Sequence, residues 1–406
     1  MRDLVAAFRN RGLLTLMLGH FTVDSYVGVL PVLFPLLIGR FHLNLETVGL
    51  VALAYSGMAS ISQPLFGLIA DRWGTRFTGL ALVWTASTFA AVGFASTFPA
   101  LVAVAAISGL GSGCFHPLGA LTVRALLPGR GAATAMSVYV SGGTLGLAAG
   151  PLIGVAVFGL FGTRGTAVML VPGLASAAFL VLAMRRRSTR DKARPEPPAP
   201  RPVLLLPLAA TIGVMASRSW TVVALQAFTP TWYQQMGYGP WFYGPLATTI
   251  ILASAIGAVG TGSLADRFGR RFVILWSLVL SVPAVALFVA FPGPLAFLWG
   301  VLVGFLAAST APLMLMLAQE LMAGRAGFAS GLIMGLGFAT GAIGVPLTGA
   351  IADRIGLQDA LATQLLVVAL TIPIALLLPG EKLLHSLRQP AVEAAAVAAA
   401  VPATGD

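Results

Sequence analysis

Long apolar runs fill most of the chain, and short polar segments separate them. The runs are about 20 residues long, which is the length that a helix needs to cross the hydrocarbon core of a bilayer. They are continuous, whereas strands of a membrane barrel alternate polar and apolar side chains. The pattern therefore predicts an all-α membrane protein with twelve transmembrane helices.

The predicted spans form two groups of six. The first group covers residues 12–38, 46–69, 78–97, 99–123, 132–160 and 165–184. The second group covers residues 203–236, 240–264, 272–291, 294–318, 327–351 and 359–379. These positions predict an N-terminal half at 1–184, a solvated, proline-rich linker at 185–202, a C-terminal half at 203–380 and a disordered tail at 381–406.

The two halves repeat one another with an offset of 195 residues. The segment GLIADRWGTR, from Gly67 to Arg76, has a near-copy, GSLADRFGRR, from Gly262 to Arg271. In the same register Pro35, Pro117, Gly146 and Pro151 recur as Pro230, Pro312, Gly341 and Pro346. Internal repeats in a membrane protein are typical of transporters, whose halves rock around a site between them.

The composition excludes a soluble protein. Apolar residues make up 58% of the chain and charged residues 9%, and the mean hydropathy is +0.92, whereas a soluble domain carries roughly 25% charged residues. The net charge is +11, but the basic residues fall in loops, so we expect no nucleic-acid partner. The single cysteine, Cys114, excludes an internal disulfide.

The distribution of Lys and Arg predicts the orientation in the membrane. With the N-terminus inside, the outer loops hold only Arg40, Arg164 and Arg354. The positive-inside rule then places both termini and the linker in the cytoplasm, and we expect a multi-pass protein of the bacterial plasma membrane. A third DRxG segment, Asp353 to Gly356, lies outside in this topology. Our only physical account of it is an ion pair that caps a helix end.

Six plus six spans, a basic central loop and a DRxG turn after spans 2 and 8 resemble the major facilitator superfamily. In that family the turn acts as a conformational latch between the halves. The resemblance assigns the latch to Gly67, Asp71, Arg72, Gly74, Arg76, Asp266, Arg267, Gly269 and Arg271. An acid at a helix end can interact with the N-terminus of a neighbouring helix, which is consistent with that role.

Ionisable residues inside the spans are the candidate functional groups, because they are costly in a bilayer. His20 and Asp24 lie four residues apart in span 1, on one helix face. At a rise of about 1.5 Å per residue, Asp24 lies about 18 Å along the helix, near the bilayer midplane. We predict that both residues bind and release protons as access alternates. The alternative is a static pair that fixes helix packing.

Arg218 lies in span 7, one residue from the position equivalent to Asp24 in the other half. An arginine there stays charged and needs an anion, either Asp24 or an acidic group of a substrate. We predict a substrate-binding or switching role, and the alternative is a permanent Asp24–Arg218 pair that holds the halves together. Further candidates for lining the cavity are Tyr26, Tyr139, Trp220 and Gln226.

His116 precedes Pro117, which favours a kink in span 4. A histidine at a kink can titrate near neutral pH, so we predict a part in proton coupling, with simple packing as the alternative. Near the outer face, an interfacial aromatic belt is predicted from Trp232, Tyr233, Trp241 and Tyr243.

Span 5 carries small residues that permit tight helix contact, namely Gly146, Gly150, Pro151 and Gly154. The segment resembles the antiporter signature of the superfamily, which favours efflux, and ordinary packing is the alternative. The segments around Asp24, Pro64 and His116 resemble the fosmidomycin resistance branch. That branch exports small drugs, including an anionic phosphonate, against protons.

We therefore expect a transporter, not an enzyme, that exports a small anionic or amphiphilic drug-like compound by proton antiport. We expect a monomer whose partners are this compound, protons and the lipid bilayer. The sequence shows no Cys and His set for a metal, and we expect no cofactor beyond the proton gradient. Two alternatives stay open: an uptake symporter or facilitator of a small organic anion, and a membrane sensor that kept the fold without transport.

Overall fold

The computed structural model describes residues 9–126, 132–184, 204–307, 309–322 and 326–385, and the regular elements in these ranges are helices. The N-terminal half contains α1 (Arg11–Phe41), α2 (Leu45–Trp73), α3 (Thr78–Val92), α4 (Phe98–Leu126), α5 (Ala132–Phe161) and α6 (Leu170–Met184). The C-terminal half contains α7 (Leu205–Gln235), α8 (Pro240–Phe268), α9 (Arg270–Ala290), α10 (Ala296–Ala307), α11 (Ala311–Leu321), α12 (Ala326–Ile355), α13 (Leu357–Ala362) and α14 (Gln364–Ala375).

The helices account for the twelve predicted spans. Ten stretches are long and apolar enough to cross a membrane, and α3 and Leu170–Leu182 in α6 are shorter apolar helices. The tenth and twelfth spans are each built from two helices, α10 with α11 and α13 with α14. The all-α, twelve-span fold is thus confirmed. The predicted linker at 185–202 lies outside the described residues. Of the tail, Glu381–His385 is helical rather than disordered, and the remainder is outside the described ranges.

The DRxG segments form one and the same turn. Gly74, Gly269 and Gly356 have φ angles of 77°, 87° and 88°, and each donates its N–H to the carbonyl four residues earlier, at 2.8, 2.9 and 2.8 Å. A positive φ favours glycine, since other residues are strained there. The repeat therefore encodes a helix-terminating turn, which also explains the third copy. We call the end of the molecule with Gly74 and Gly269 the inner end, and the end with Gly356 the outer end.

The two halves share a hydrophobic core only toward the outer end. One core runs through the whole N-terminal half, from Leu16 in α1, and continues into the outer part of the C-terminal half at Phe228 and Val345. A second core lies in the inner part of the C-terminal half and includes Leu208 and Leu317. Within the described residues, buried apolar packing therefore joins the halves at the outer end and not at the inner end. We call these the closed outer end and the separated inner end.

The predicted aromatic belt is wrong for three of its four members. Trp232, Tyr233 and Tyr243 are at most 5% exposed and belong to the first core. Trp232 and Tyr233 are in edge contact, with ring centroids 5.0 Å apart. Only Trp241 of the four lies on the surface, with 67% exposure. Aromatic side chains at this depth thus fill the outer core instead of marking a membrane interface.

Arg40, one of the few cations of the predicted outer loops, is held by hydrogen bonds to neighbouring loops. Its guanidinium donates hydrogen bonds to the carbonyls of Gly93 and Ala95 at 2.5 and 2.8 Å and to the hydroxyl of Thr163 at 3.0 Å. These contacts tie the end of α1 to the loops after α3 and α5. The charge therefore serves loop packing at the outer end.

Candidate functional site

A triad of His20, Asp24 and His116 lies inside the N-terminal half. The Asp24 carboxylate is held between the two imidazoles: Oδ2 is 3.3 Å from Nε2 of His20, and Oδ1 is 3.1 Å from Nε2 of His116. The side chains of Asp24 and His116 are 20% and 27% exposed, and that of His20 is 9% exposed. The structure thus brings together the three residues that the sequence singled out for proton coupling, two from α1 and one from α4.

The other nitrogen of each imidazole is fixed by a backbone carbonyl. Nδ1 of His20 donates to the carbonyl of Tyr139 at 2.9 Å, and Nδ1 of His116 donates to the carbonyl of Ser112 at 2.8 Å. A carbonyl oxygen only accepts, so Nδ1 carries the proton in each ring. In the neutral ring, Nε2 is then an unprotonated acceptor. Each Nε2 therefore faces a carboxylate oxygen favourably only when it binds a proton of its own.

Helix α5 forms the wall behind the triad. Tyr139 stacks on His20, with ring centroids 4.2 Å apart and an angle of 26° between the planes. Gly143 lies one turn further along, and a β-carbon there would collide with the Asp24 carboxylate and the His20 ring. Gly146 and Gly150 pack directly against the backbone of α1. The small residues of span 5 thus let α5 approach α1 closely, and Gly143, which the sequence analysis did not assign, leaves room for the triad.

The triad also has the donor types of a transition-metal site. Within the described ranges, His20, Asp24 and His116 are the group of His, Cys, Asp or Glu residues that could hold a metal ion. Their ligand atoms all lie within 4.8 Å of one another. Two imidazoles and a carboxylate suit such a metal, and spacing in the sequence alone did not reveal the convergence. Each Nε2 already lies at hydrogen-bond distance from its own carboxylate oxygen, and a proton satisfies that contact. The absence of a metal stays a prediction.

Arg218 lies in the opposite half and does not pair with Asp24. It is 7% exposed, and it donates to the carbonyl of Ala307 at 3.2 Å and to the sulfur of Met215 at 3.6 Å. The ion-pair partners of Asp24 are the two histidines. The alternative of a permanent Asp24–Arg218 pair is therefore wrong for this structure, in which each half holds its own charged group.

The other predicted cavity residues divide into three environments. Tyr26 is fully buried, donates its hydroxyl to the carbonyl of Met169 at 3.0 Å and stacks on Phe89, so it packs the N-terminal core and does not line a cavity here. Trp220 is partly exposed and donates Nε1–H to the hydroxyl of Thr348 at 2.9 Å. Gln226 is half-buried in α7, and Tyr139 belongs to the triad.

The predicted latch residues lie at the inner end without linking the halves in the described structure. The side chain of Asp71 is outside the described residues. Arg72, Arg76 and Arg267 lie over the neighbouring rings of Trp73, Phe77 and Phe268. Arg271 donates to the carbonyl of Leu376 in its own half, at 2.6 Å. Gly67 has open space around it, and Asp266 is exposed. The latch role stays a prediction, for a state in which the inner end is closed.

The family model described as Major Facilitator Superfamily matches residues 16–344 and 243–401, so the two matches together span most of the chain. The chain belongs to the major facilitator superfamily. Membership fits the twelve-span fold and identifies the protein as a transporter rather than an enzyme.

Several members of the superfamily resemble this transporter over most of its length. It is 27% identical to the fosmidomycin resistance protein of Escherichia coli (strain K12), over 84% of this chain and 86% of that protein. It is 32% identical to the uncharacterized MFS-type transporter YfnC of Bacillus subtilis (strain 168), over 90% of this chain and 92% of that protein. A bacterial homologue of the human lysosomal transporter Spinster, in an inward-facing and occupied conformation, superposes with a TM-score of 0.79 at 16% identity, over 90% and 95% of the two chains.

Proposed function

We propose that this transporter exports a small amphiphilic or anionic drug-like compound across the bacterial plasma membrane in exchange for protons. The family supports transport, and the fosmidomycin resistance relative supports export of a drug-like compound. The closed outer end and separated inner end support alternating access, with this structure as the state that opens toward the cytoplasm.

The observation that carries the proposal is the hydrogen-bond geometry of the triad. Both Nδ1 atoms donate to carbonyls, so both Nε2 atoms face a carboxylate and need a proton there. Loss of these protons places two nitrogen lone pairs against a carboxylate, and the three groups then repel one another. The triad is therefore a proton-binding site whose geometry depends on its occupancy, and partial exposure of Asp24 and His116 gives protons access.

The net charge of the triad determines how proton binding affects binding of the compound. Export by antiport requires that the compound binds after the triad has released its protons. The deprotonated triad is net negative and repels acidic groups, so an anionic group of the compound must bind away from it. Arg218, in the opposite half, is a buried cation that provides such a place. Trp220 and Gln226, on the same helix, are the residues we assign to the apolar and polar contacts.

The charge of the protonated triad supports a second function. The protonated triad is net positive and attracts an anion on its own, which makes proton and anion binding cooperative. Cooperative binding moves both in one direction, as in an uptake symporter of a small organic anion. The two functions differ in the sign of proton movement that accompanies the compound.

Proteoliposomes with a pH-sensitive dye in the lumen measure that sign. Fosmidomycin is added outside first, followed by a panel of organic anions and cations. Antiport makes the lumen more alkaline as the compound enters, whereas symport makes it more acidic. Lumen acidification would replace the antiport proposal with the symport function. An absence of proton movement with every compound, from protein shown to be folded, would contradict both and favour a sensor.

Two substitutions link the flux to the triad. Asp24→Asn is expected to abolish compound-driven proton movement, and the matched exposed acid variant Asp359→Asn is expected to retain it. Gly143→Ala is expected to slow it by about tenfold or more, because a misplaced reacting group loses rate steeply. Gly159→Ala is the control on the same helix, since a β-carbon there would meet no other atom within 4 Å. Unchanged flux in Asp24→Asn would exclude the triad from coupling.

A further inference from the structure

Asp353 lies at the outer end of α12 and binds the first turn of α2. Its Oδ1 accepts the backbone N–H of Leu45 at 2.8 Å, and its Oδ2 accepts the backbone N–H of Glu46 at 2.9 Å. We call this arrangement the outer clasp. It joins the C-terminal half, which contains α12, to the N-terminal half, which contains α2.

The clasp satisfies donors that the helix itself leaves unpaired. The first N–H groups of an α-helix have no partner within the helix. The side chain of Asn44 takes the N–H of Thr47 at 2.8 Å, and Asp353 takes those of Leu45 and Glu46. A negative charge at a helix N-terminus is also favoured by the helix dipole. Separation of the halves at this end breaks both bonds of Asp353 and leaves the N–H groups of Leu45 and Glu46 without this acceptor, whereas the Asn44 cap lies within the N-terminal half and remains.

The clasp can form only while the outer end is closed, because the backbones of α2 and α12 must approach one another closely. A β-carbon at Gly49 in α2 would lie 2.7 Å from the Cα of Pro346 in α12. A β-carbon at Gly349 in α12 would lie 2.6 Å from the carbonyl carbon of Leu45. Glycine at both positions therefore lets the two helices meet. The carboxylate can reach the N-terminus of α2 only while they are in contact.

The internal repeat shows that the clasp is present on one side only. The offset of 195 residues pairs Leu45 with Pro240 and Asp353 with Phe158. Proline has no backbone N–H to donate, and phenylalanine has no acceptor. The equivalent seam between α5 and α8 is instead closed by packing of Gly244 on Val155 and by a hydrogen bond from Thr248 to the carbonyl of Ala148 at 2.7 Å.

We infer that Asp353 is a gating residue for transport: its bond to the N-terminus of α2 stabilises the state closed at the outer end and must break each time that end opens. The inference rests on the proposed alternating access. An acid of α12 that takes no part in the proposed proton coupling thus controls the balance between the two states.

Distances between the halves at the other seam test the inference. Cys114→Ser removes the native thiol, and spin labels are placed at the exposed positions Leu160 and Trp241 for the outer end. A second pair at Val140 and Val259 reports on the inner end. These pairs lie on α5 and α8, away from Asp353. A purely local effect of a change at Asp353 therefore leaves them unaltered.

Asp353→Ala is expected to raise the ratio of outer-open to outer-closed molecules by about 2- to 30-fold, the range expected for loss of a helix cap. The outer pair should gain a longer distance and the inner pair a shorter one. Asp353→Asn keeps one acceptor and is expected to give a smaller shift. It also serves if the alanine variant fails to fold. Asp359→Asn, an exposed acid on α13, is the matched control and is expected to match the wild type.

Unchanged distances in folded Asp353→Ala and Asp353→Asn would overturn the inference, as would an equal shift in Asp359→Asn. The distances are measured in detergent or lipid without compound or proton gradient. A shift in Asp353→Ala therefore supports the gate even where the flux assay shows no proton coupling, and the two proposals can fail separately.

Discussion

The outer and inner ends of this transporter use the same turn with opposite outcomes. At the outer end, the turn that ends at Gly356 presents Asp353 to the N-terminus of α2 in the other half. At the inner end, the turn that ends at Gly269 leaves Asp266 exposed, and within the described residues no hydrogen bond or ion pair reaches its carboxylate. The local sequence therefore determines the turn, while the position of the partner half determines whether the acid has something to bind.

The closed and separated ends also differ in how their glycines are surrounded. Gly49 and Gly349 face the backbone of the opposite half, whereas Gly335, nearer the inner end of α12, has open space around it. Glycine at the outer end is required by close approach. At the inner end, the open surroundings permit a larger side chain in this state.

The largest expected effect comes from filling the outer contact. Gly349→Val places a side chain where the backbone of Leu45 lies, so the outer ends cannot meet and the outer-closed population should be almost lost. Gly335→Val on the same helix is the matched control and should retain the wild-type distances. The outer spin-label pair at Leu160 and Trp241 measures both variants. A wild-type outer distance in folded Gly349→Val would show that this contact does not control closure.

An intermediate effect is expected when the carboxylate of Asp266 at the inner end is removed. If Asp266 caps a helix when the inner end closes, Asp266→Ala removes a bond that exists only in that state and leaves the present state unchanged. The inner-open population should then rise by about 2- to 5-fold, opposite in sign to Asp353→Ala. The pair at Val140 and Val259 measures the shift. A shift of the same sign in both variants would mean that the two turns are not opposed gates.

The smallest difference between the two ends is expected when the glycines that end the helices are substituted. Gly269→Ala and Gly356→Ala each force a residue with a β-carbon to a positive φ with an extended ψ of 147° or 157°, a region almost restricted to glycine, at a cost of about 1–3 kcal/mol. Because the turns share one geometry, thermal unfolding should show similar destabilisation in the two variants, despite their different partners. Gly335→Ala, in a regular helix with open surroundings, should instead stabilise by about 0.5–1 kcal/mol. A much larger loss in Gly356→Ala alone would assign the difference to the clasp.

The sequence predicted which ionisable residues form the candidate site, but not how they are arranged. His20, Asp24 and His116 stand out in the sequence because ionisable groups are rare inside apolar spans, and they converge. Their arrangement was not predictable, since it depends on Tyr139 and Ser112 fixing the proton on Nδ1 of each ring. The aromatic residues Trp232, Tyr233 and Tyr243 show the opposite case, because an apolar side chain near a helix end packs equally well against lipid or protein.

The sequence by itself determined the twelve apolar spans, the repeat, the helix-ending turns and the rare ionisable groups. These features depend on local composition, helix length and the φ preference of glycine, which residues within a few positions of one another specify. The tertiary structure decided the second partner of Asp24, His116, together with the place of Arg218 away from Asp24 and the clasp at Asp353. Each of these depends on which helix of a distant segment lies opposite, and a helix of apolar residues does not encode that choice in its own pattern.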